Sequence, residues 1–250
     1  MDEGFGPHFF MIFIKPKQII IDAFTINSGI HNYFSPSKAT DFLPQWWKNL
    51  PKSIAINKHD MTVDYATMKQ CDGFIEQYKN SFIVPLWSDL IIKTYNDGRW
   101  QYMFSTEDTP SMQEHREYMT RDVTEFNNII QLKLPTPWLF VEKTGVKFQL
   151  HEPFWNRIHK LNEIRTAPGI LNFKDQNAVV NVFLAEKINK EIHMNSGDPL
   201  LMFTPLSDKN IKIKSHVVDE GEWKRIHDKT MYVSSFSGFY KKNKIRCPFK

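Results

Sequence analysis

Residues Ala167–Leu206 read "APGILNFKDQNAVVNVFLAEKINKEIHMNSGDPLLMFTPL". Short runs of alternating apolar and polar side chains are separated by Pro168-Gly169, by Lys174-Asp175 and by Gly197-Asp198-Pro199. Alternation of period two is the mark of a strand with one face in a core, and Gly, Asp and Pro between such runs are turn chemistry. The stretch therefore predicts a turn, an alternating strand, a second turn and a further apolar strand. It sets the expectation for the whole chain, a mainly β protein of the α+β kind with antiparallel sheets and a few short helices.

The flanking sequence extends that reading. "HFFMIFIK" (8–15) and "QIIIDAFT" (18–25) are strand candidates parted by Pro16, and "NIIQLKLPTPWLFVEK" (128–143), "VKFQLHEPF" (146–154) and "NIKIKSHVV" (210–218) are further strands. "IVPLWSDLIIKTYNDGRWQYMFS" (83–105) predicts a β-hairpin, because Asn96-Asp97-Gly98 accepts positive φ between two β-forming runs. Between residues 35 and 81 the character changes. Pro44 and Pro51 interrupt a segment that Ser35 or Ser37 can cap, and Phe74, Ile75 and Tyr78 recur at helical spacing. This predicts a helical insertion over 35–81 within a single domain of 1–250. A β-rich core over 124–218 follows. A C-terminal helix, with Trp223, Ile226 and Met231 on one face, and a basic tail fill 219–250. Residues 106–121 are polar and read as a loop or short helix.

Composition narrows the function classes. A chain of 250 residues buries a core without disulfides or a structural metal. Net charge is +4, much of it in "FYKKNKIRCPFK" at the end, which is no continuous basic stripe and argues against nucleic acid as partner. Two cysteines, Cys71 and Cys247, form no CxxC pair, so thiolate zinc and a disulfide scaffold are disfavoured and two reduced thiols are expected. The N-terminal "MDEGFGPHFFMIFIKPKQ" lacks the basic n-region and cleavage site of a signal peptide, and no apolar run reaches bilayer length. The expectation is a soluble protein of the host cytoplasm or of a virion, with no membrane partner.

Two resemblances bear on function. "GILNF…AVVNVFL…EIHMNSGDPLLMF" resembles the paired motifs of the trimeric dUTPase and dCTP-deaminase superfamily, a β-clip fold. Gly169, Ile170, Leu171 and Asn172 fill the first motif, and Ile192, Gly197, Asp198 and Met202 the second. The family's water-activating Asp is here Asn172, whose amide cannot act as a general base. Met202 replaces a Gln and Pro199 removes a backbone donor. The resemblance implies a nucleotide-binding trimer with altered catalysis, while the simpler reading of Gly169 and Gly197 is turns requiring positive φ on a β-clip-like or jelly-roll-like scaffold. The blocks "PQWWKNLP", "PLWSDLII", "PTPWLF" and "GDPLLMFTPL" are together similar to an uncharacterised family found in bacteria and in tailed phages of marine bacteria. That resemblance spans nearly the whole chain and carries over no functional residues.

Candidate ligand-binding residues are Trp47 with Lys48, Trp87 with Asp89, Asn172 and Asp198. An indole beside a charge can line a groove, whereas the competing reading makes Trp46, Trp47, Trp87, Trp138 and Trp155 core anchors. Lys48 is then the expected partner of Asp89, since a carboxylate on an apolar strand needs one. Candidate metal ligands are His151, Glu152 and His159, and His216, Asp219, Glu222 and His227. Pro153 breaks any helix joining the first group, and no H-E-x-x-H or H-x-D is present. No G-x-S-x-G elbow, P-loop or dinucleotide fingerprint occurs, and "SFSGF" around Ser237 is no elbow.

Three functions follow from this reading. The first is a non-catalytic β-scaffold that binds and assembles, as a homo-oligomer or with virion proteins, and uses no cofactor. The second is a jelly-roll-like enzyme holding a divalent metal. The third is a dUTPase-like protein that binds a nucleotide or other small molecule. A polar, convergent cavity is expected of the last two; a dry, apolar one would exclude both.

Overall fold

Alternation along "IIQLKLPTPWLFVE" decides the centre of the molecule. In this computed structural model, which describes residues 18–58, 61–106, 110–114, 123–158, 163–176 and 178–234, that run forms one 14-residue strand, Ile129–Glu142, with Ile130, Leu132, Leu134, Trp138 and Phe140 all buried. The described strands are β1 (Ile19–Thr25), β2 (Ser37–Lys38), β3 (Ser53–Lys58), β4 (Met61–Ala66), β5 (Phe82–Pro85), β6 (Leu90–Thr94), β7 (Trp100–Phe104), β8 (Gln113–Glu114), β9 (Ile129–Glu142) and β10 (Lys147–His151). They continue with β11 (Arg165–Thr166), β12 (Gly169–Asn172), β13 (Ala178–Glu186), β14 (Lys190–Met194), β15 (Pro199–Pro205) and β16 (Ile211–Val217). The α-helices are α1 (Ser28–Tyr33), α2 (Gln45–Asn49), α3 (Asp72–Lys79) and α4 (Glu220–Ser234). The protein is mainly β, as its sequence predicts, and no closed barrel forms among the described residues.

The first sheet runs β11-β13-β9-β1-β16, with β8 also on β9; its pairs are antiparallel except β1 with β16. The second runs β12-β10-β15-β5-β2. Both contribute to one core. Phe140 of β9 meets Phe82 of β5 and Phe203 of β15 at ring separations of 5.9 Å each, and Phe148 and Phe173 complete the cluster. Burying each such ring contributes about 1.5–3 kcal/mol. A third sheet, β14-β6-β7, adds Leu90, Ile92, Ile192 and Met194 to the same core. Pro135 and Pro137 are tolerated inside β9 because the facing strand shifts register there, between Ala178 and Val180.

The opening stretch holds four strands, β12 to β15, two more than its alternation predicts. The hairpin at Asp97-Gly98 forms as expected between β6 and β7, with Gly98 at φ +85°. The core exceeds 124–218, since β1 lies inside the first sheet and β5 inside the second. The insertion over 35–81 is only partly helical. It contains α2, α3 and two 3-10 turns, but also the β3–β4 hairpin. Its helices pack Phe74 and Tyr78 with Ile83 and Met202 on the outer face of the second sheet. The predicted C-terminal helix is α4, in which Ile226 is buried. The 8–15 strand candidate, Cys247, Ser237 and the basic tail lie outside the described residues, as does most of 106–121. Cys71 is a free thiol. No helix among the described residues is long and apolar enough to cross a membrane.

Candidate functional site

A cleft of about 570 Å³ opens where α3 passes over the outer face of β10 and β15. Strand pairing places Gln149 opposite Thr204 and His151 opposite Met202, while Ser81 immediately precedes β5, whose Phe82 faces Phe203. The outward side chains of one row therefore meet. Ser81 Oγ is 2.7 Å from Thr204 Oγ1, and Thr204 Oγ1 is 3.0 Å from His151 Nε2. His151 Nδ1 lies 3.0 Å from the carbonyl oxygen of Glu152. A carbonyl only accepts, so Nδ1 carries the proton and Nε2 accepts from the Thr204 hydroxyl, which in turn accepts from Ser81. Burial lowers the pKa of His151 below its ordinary value and keeps the ring neutral at pH 7. Glu76, Gln77, Asn80 and Asp208 make the remaining wall polar, so the cleft can hold a hydrogen-bonding ligand.

Glu152 links this cleft to the interior. Its carboxylate binds Arg165 at 2.8 Å and receives the backbone N–H of Thr166 at 3.4 Å, joining the end of β10 to β11 of the other sheet. Its charge acts on Arg157, 6% exposed, whose terminal nitrogens have no hydrogen-bond partner among the described residues. Burial pulls its pKa down, while the charges of Glu152, Asp198 and Glu163 act the other way. A lone Arg in a loop carries no sequence signal of burial.

The tryptophan pairs do not form a groove. Trp47 stacks on Phe74 at 5.2 Å in the helical cluster, its indole N–H donating to the Met68 carbonyl. Lys69, not Lys48, sits over its ring at 4.1 Å and donates to the carbonyls of Trp47 and Lys48 at the end of α2. Trp87 is 2% exposed in the main core. Lys48 is exposed, and Asp89 instead accepts the backbone N–H of Ser196 at 2.7 Å, a bond that lowers its pKa. The Lys48–Asp89 pairing is thus replaced by a turn contact.

Asn172 and Asp198 also organise turns. Asn172 accepts the Lys174 N–H at 3.0 Å and donates to Asp175 at 3.1 Å. Asp198 accepts the Asn195 N–H at 3.2 Å. Within one chain they lie at opposite ends of the second sheet, because Asn172 pairs with Lys147 while Asp198 precedes β15 beyond the His151–Met202 rung. Gly197 has φ +82° as the turn reading requires, whereas Gly169 lies inside β12 with ordinary backbone.

The metal candidates stay apart. His216 pairs with Asp22 at 2.9 Å and stacks on Phe24, Asp219 caps α4 by accepting the Glu222 N–H at 2.8 Å, and His227 faces Asp228. His159 lies outside the described residues. Among the described residues no three His, Cys, Asp or Glu side chains gather as a metal site.

A second unread feature is the β3–β4 hairpin, exposed at every residue. Ile54 pairs with Tyr65, Ile56 with Val63 and Lys58 with Met61, which puts five large apolar side chains on one side of the ribbon. Period two in "SIAIN" was the available signal, hidden within a segment otherwise marked by helix and proline. No protein-family model matches the chain, and no curated protein matches its sequence.

Proposed function

We propose that the protein is a non-catalytic β-scaffold that works by self-association, with the β3–β4 hairpin as its arm. One observation carries this reading. Ile54, Ile56, Met61, Val63 and Tyr65 are 39–66% exposed on one side of a two-stranded ribbon. A lone hairpin is marginally stable in water, and an apolar ladder of this kind needs a cover. A second copy of the chain is the fitting occupant. Among the described residues no third strand pairs with the ribbon, and a two-fold axis would join identical edges and identical apolar faces into an isologous contact. The scattered histidines and the turn roles of Asn172 and Asp198 give the metal-enzyme and dUTPase-like alternatives less support. The phage-family resemblance would place such a component in a virion or its accessory machinery, on a β-clip- or jelly-roll-like frame.

Light scattering coupled to size exclusion, run over a hundredfold concentration range, tests the proposal. A concentration-dependent oligomer that Ile56→Asp/Val63→Asp converts to a monomer with unchanged circular dichroism is the expected result. A wild-type monomer throughout, or an oligomer indifferent to the substitution, overturns it.

The polar character of the cleft at His151 supports a second reading, binding of a small polar molecule. Native mass spectrometry of the untagged chain, purified without chelator, separates the two. An added mass lost on His151→Asn/Thr204→Val would establish ligand binding, and a bare chain would refute it.

A further inference from the structure

We propose that the cleft between α3 and the β10–β15 row is a binding site for a neutral sugar. This rests on the second reading above, that the cleft holds a small polar molecule, and names the chemical class of that molecule. Its volume of about 570 Å³ falls within the roughly 300–1,000 Å³ of small-molecule sites. The charges on its walls disfavour other classes. The carboxylates of Glu76, Glu152 and Asp208 line it, and no Lys or Arg among the described residues does. A phosphate, nucleotide or carboxylate would meet repulsion there without a cationic partner. A cation fares little better. Glu76 is bound to Lys79 at 3.0 Å and Glu152 to Arg165 at 2.8 Å, which leaves Asp208 on the exposed rim, where solvent screens its attraction.

What remains is a set of uncharged groups that both donate and accept. Gln77 and Asn80, at the end of α3, and Gln149, on β10, line the space with carboxamides. No hydrogen bond among the described residues holds any of these three side chains. A carboxamide sets a donor and an acceptor side by side in one plane, and so meets two neighbouring hydroxyls, each of which also donates and accepts. Gln77 comes from the helix and Gln149 from the sheet beneath it, opposite Thr204, so a ligand is held from two elements. His151 and Thr204 satisfy one another and add no charge to the floor, while Ser207 adds a further hydroxyl. Phe154 contributes an aromatic ring to the same lining. The negative face of such a ring attracts the C–H groups of a pyranose, which carry partial positive charge. An uncharged molecule with many hydroxyls and one apolar face matches this inventory.

Saturation-transfer NMR on the full chain tests this, with glucose, galactose, mannose and N-acetylglucosamine as neutral probes and spermidine and inorganic phosphate as charged ones. Each is taken to about 50 mM, well above a millimolar dissociation constant. The expected result is saturable binding of at least one neutral sugar and weaker or no binding of spermidine and phosphate. Gln77→Leu/Gln149→Leu is expected to weaken the sugar by about fivefold or more. Both side chains lie outside the two hydrophobic clusters, so this variant is expected to keep the wild-type circular dichroism, and Gln77→Ala/Gln149→Ala repeats the test if it does not. Sugar binding that the variant retains puts the ligand elsewhere and overturns the proposal. Spermidine or phosphate bound in preference to every sugar, and released by His151→Asn/Thr204→Val, overturns it while leaving the small-molecule reading intact. No binding of any probe also overturns it, and the reading beneath it fails only if native mass spectrometry finds a bare chain as well.

Discussion

His151 Nε2 lies 3.0 Å from Thr204 Oγ1, and its protonated Nδ1 faces the Glu152 carbonyl at the same distance. The neutral ring satisfies both neighbours, whereas a second proton on Nε2 removes the acceptor that Thr204 uses and places a charge in a half-buried site. Burial is the principal cause of the lowered pKa. The unfolded chain thus takes up a proton near the ordinary value of 6.5 while the folded chain does not. Stability contributed by this group is full above pH 6.5 and is lost as pH falls from there to the folded pKa. His151→Asn keeps a donor for the Glu152 carbonyl and does not titrate. Melting curves from pH 8 to pH 5 are expected to show wild type losing more stability than the variant once the pH falls below 6.5. Parallel curves would show that the ring is not held neutral.

The β9–β10 turn depends on one carboxylate. Glu142 is 1% exposed, and its two oxygens collect the N–H groups of Thr144 at 2.7 Å, Gly145 at 2.7 Å and Val146 at 3.1 Å, together with the Thr144 hydroxyl. Three backbone donors converging on one anion fix a turn in which Gly145 holds φ +80°. Glu142→Ala leaves these donors to water or unpaired and is expected to cost about 3 kcal/mol in urea unfolding, and Glu142→Gln about 1–2 kcal/mol. A loss below half a kcal/mol for the alanine variant would mean that the turn forms without its anion.

Much of the fold is legible because strand periodicity is local. Ile130, Leu132 and Leu134 alternate with polar residues in sequence and point to the core in space, and "NDG" gives the β6–β7 turn directly. What sequence could not show is which side chains meet. Trp47 and Trp87 look alike beside their charges, yet one belongs to the helical cluster and the other to the main core. His151 was legible as a candidate, but its partners Ser81 and Thr204 lie 70 and 53 positions away and meet it only through sheet pairing. Arg157 was illegible for the same reason. The charges that act on it include Asp198, 41 positions along the chain, and no spacing encodes that.

Two glycines from the opening stretch separate a turn requirement from a coincidence of motif. Gly197 holds φ +82°, a conformation that costs an L-residue about 1–2 kcal/mol, although a Cβ there would meet nothing nearer than Phe34 at 4.0 Å. Gly169 has ordinary backbone within β12, and an added Cβ would meet nothing within 4 Å. Gly197→Ala is therefore expected to lose about 1–2 kcal/mol purely through backbone strain. Gly169→Ala is expected to be neutral or to gain up to about 1 kcal/mol, because alanine restricts the unfolded chain more than glycine. Urea unfolding of the two variants side by side checks this. Were Gly169→Ala to lose as much as Gly197→Ala, close approach of a ligand or a neighbouring chain at β12 would be the remaining physical cause, and the β-clip resemblance would regain its force.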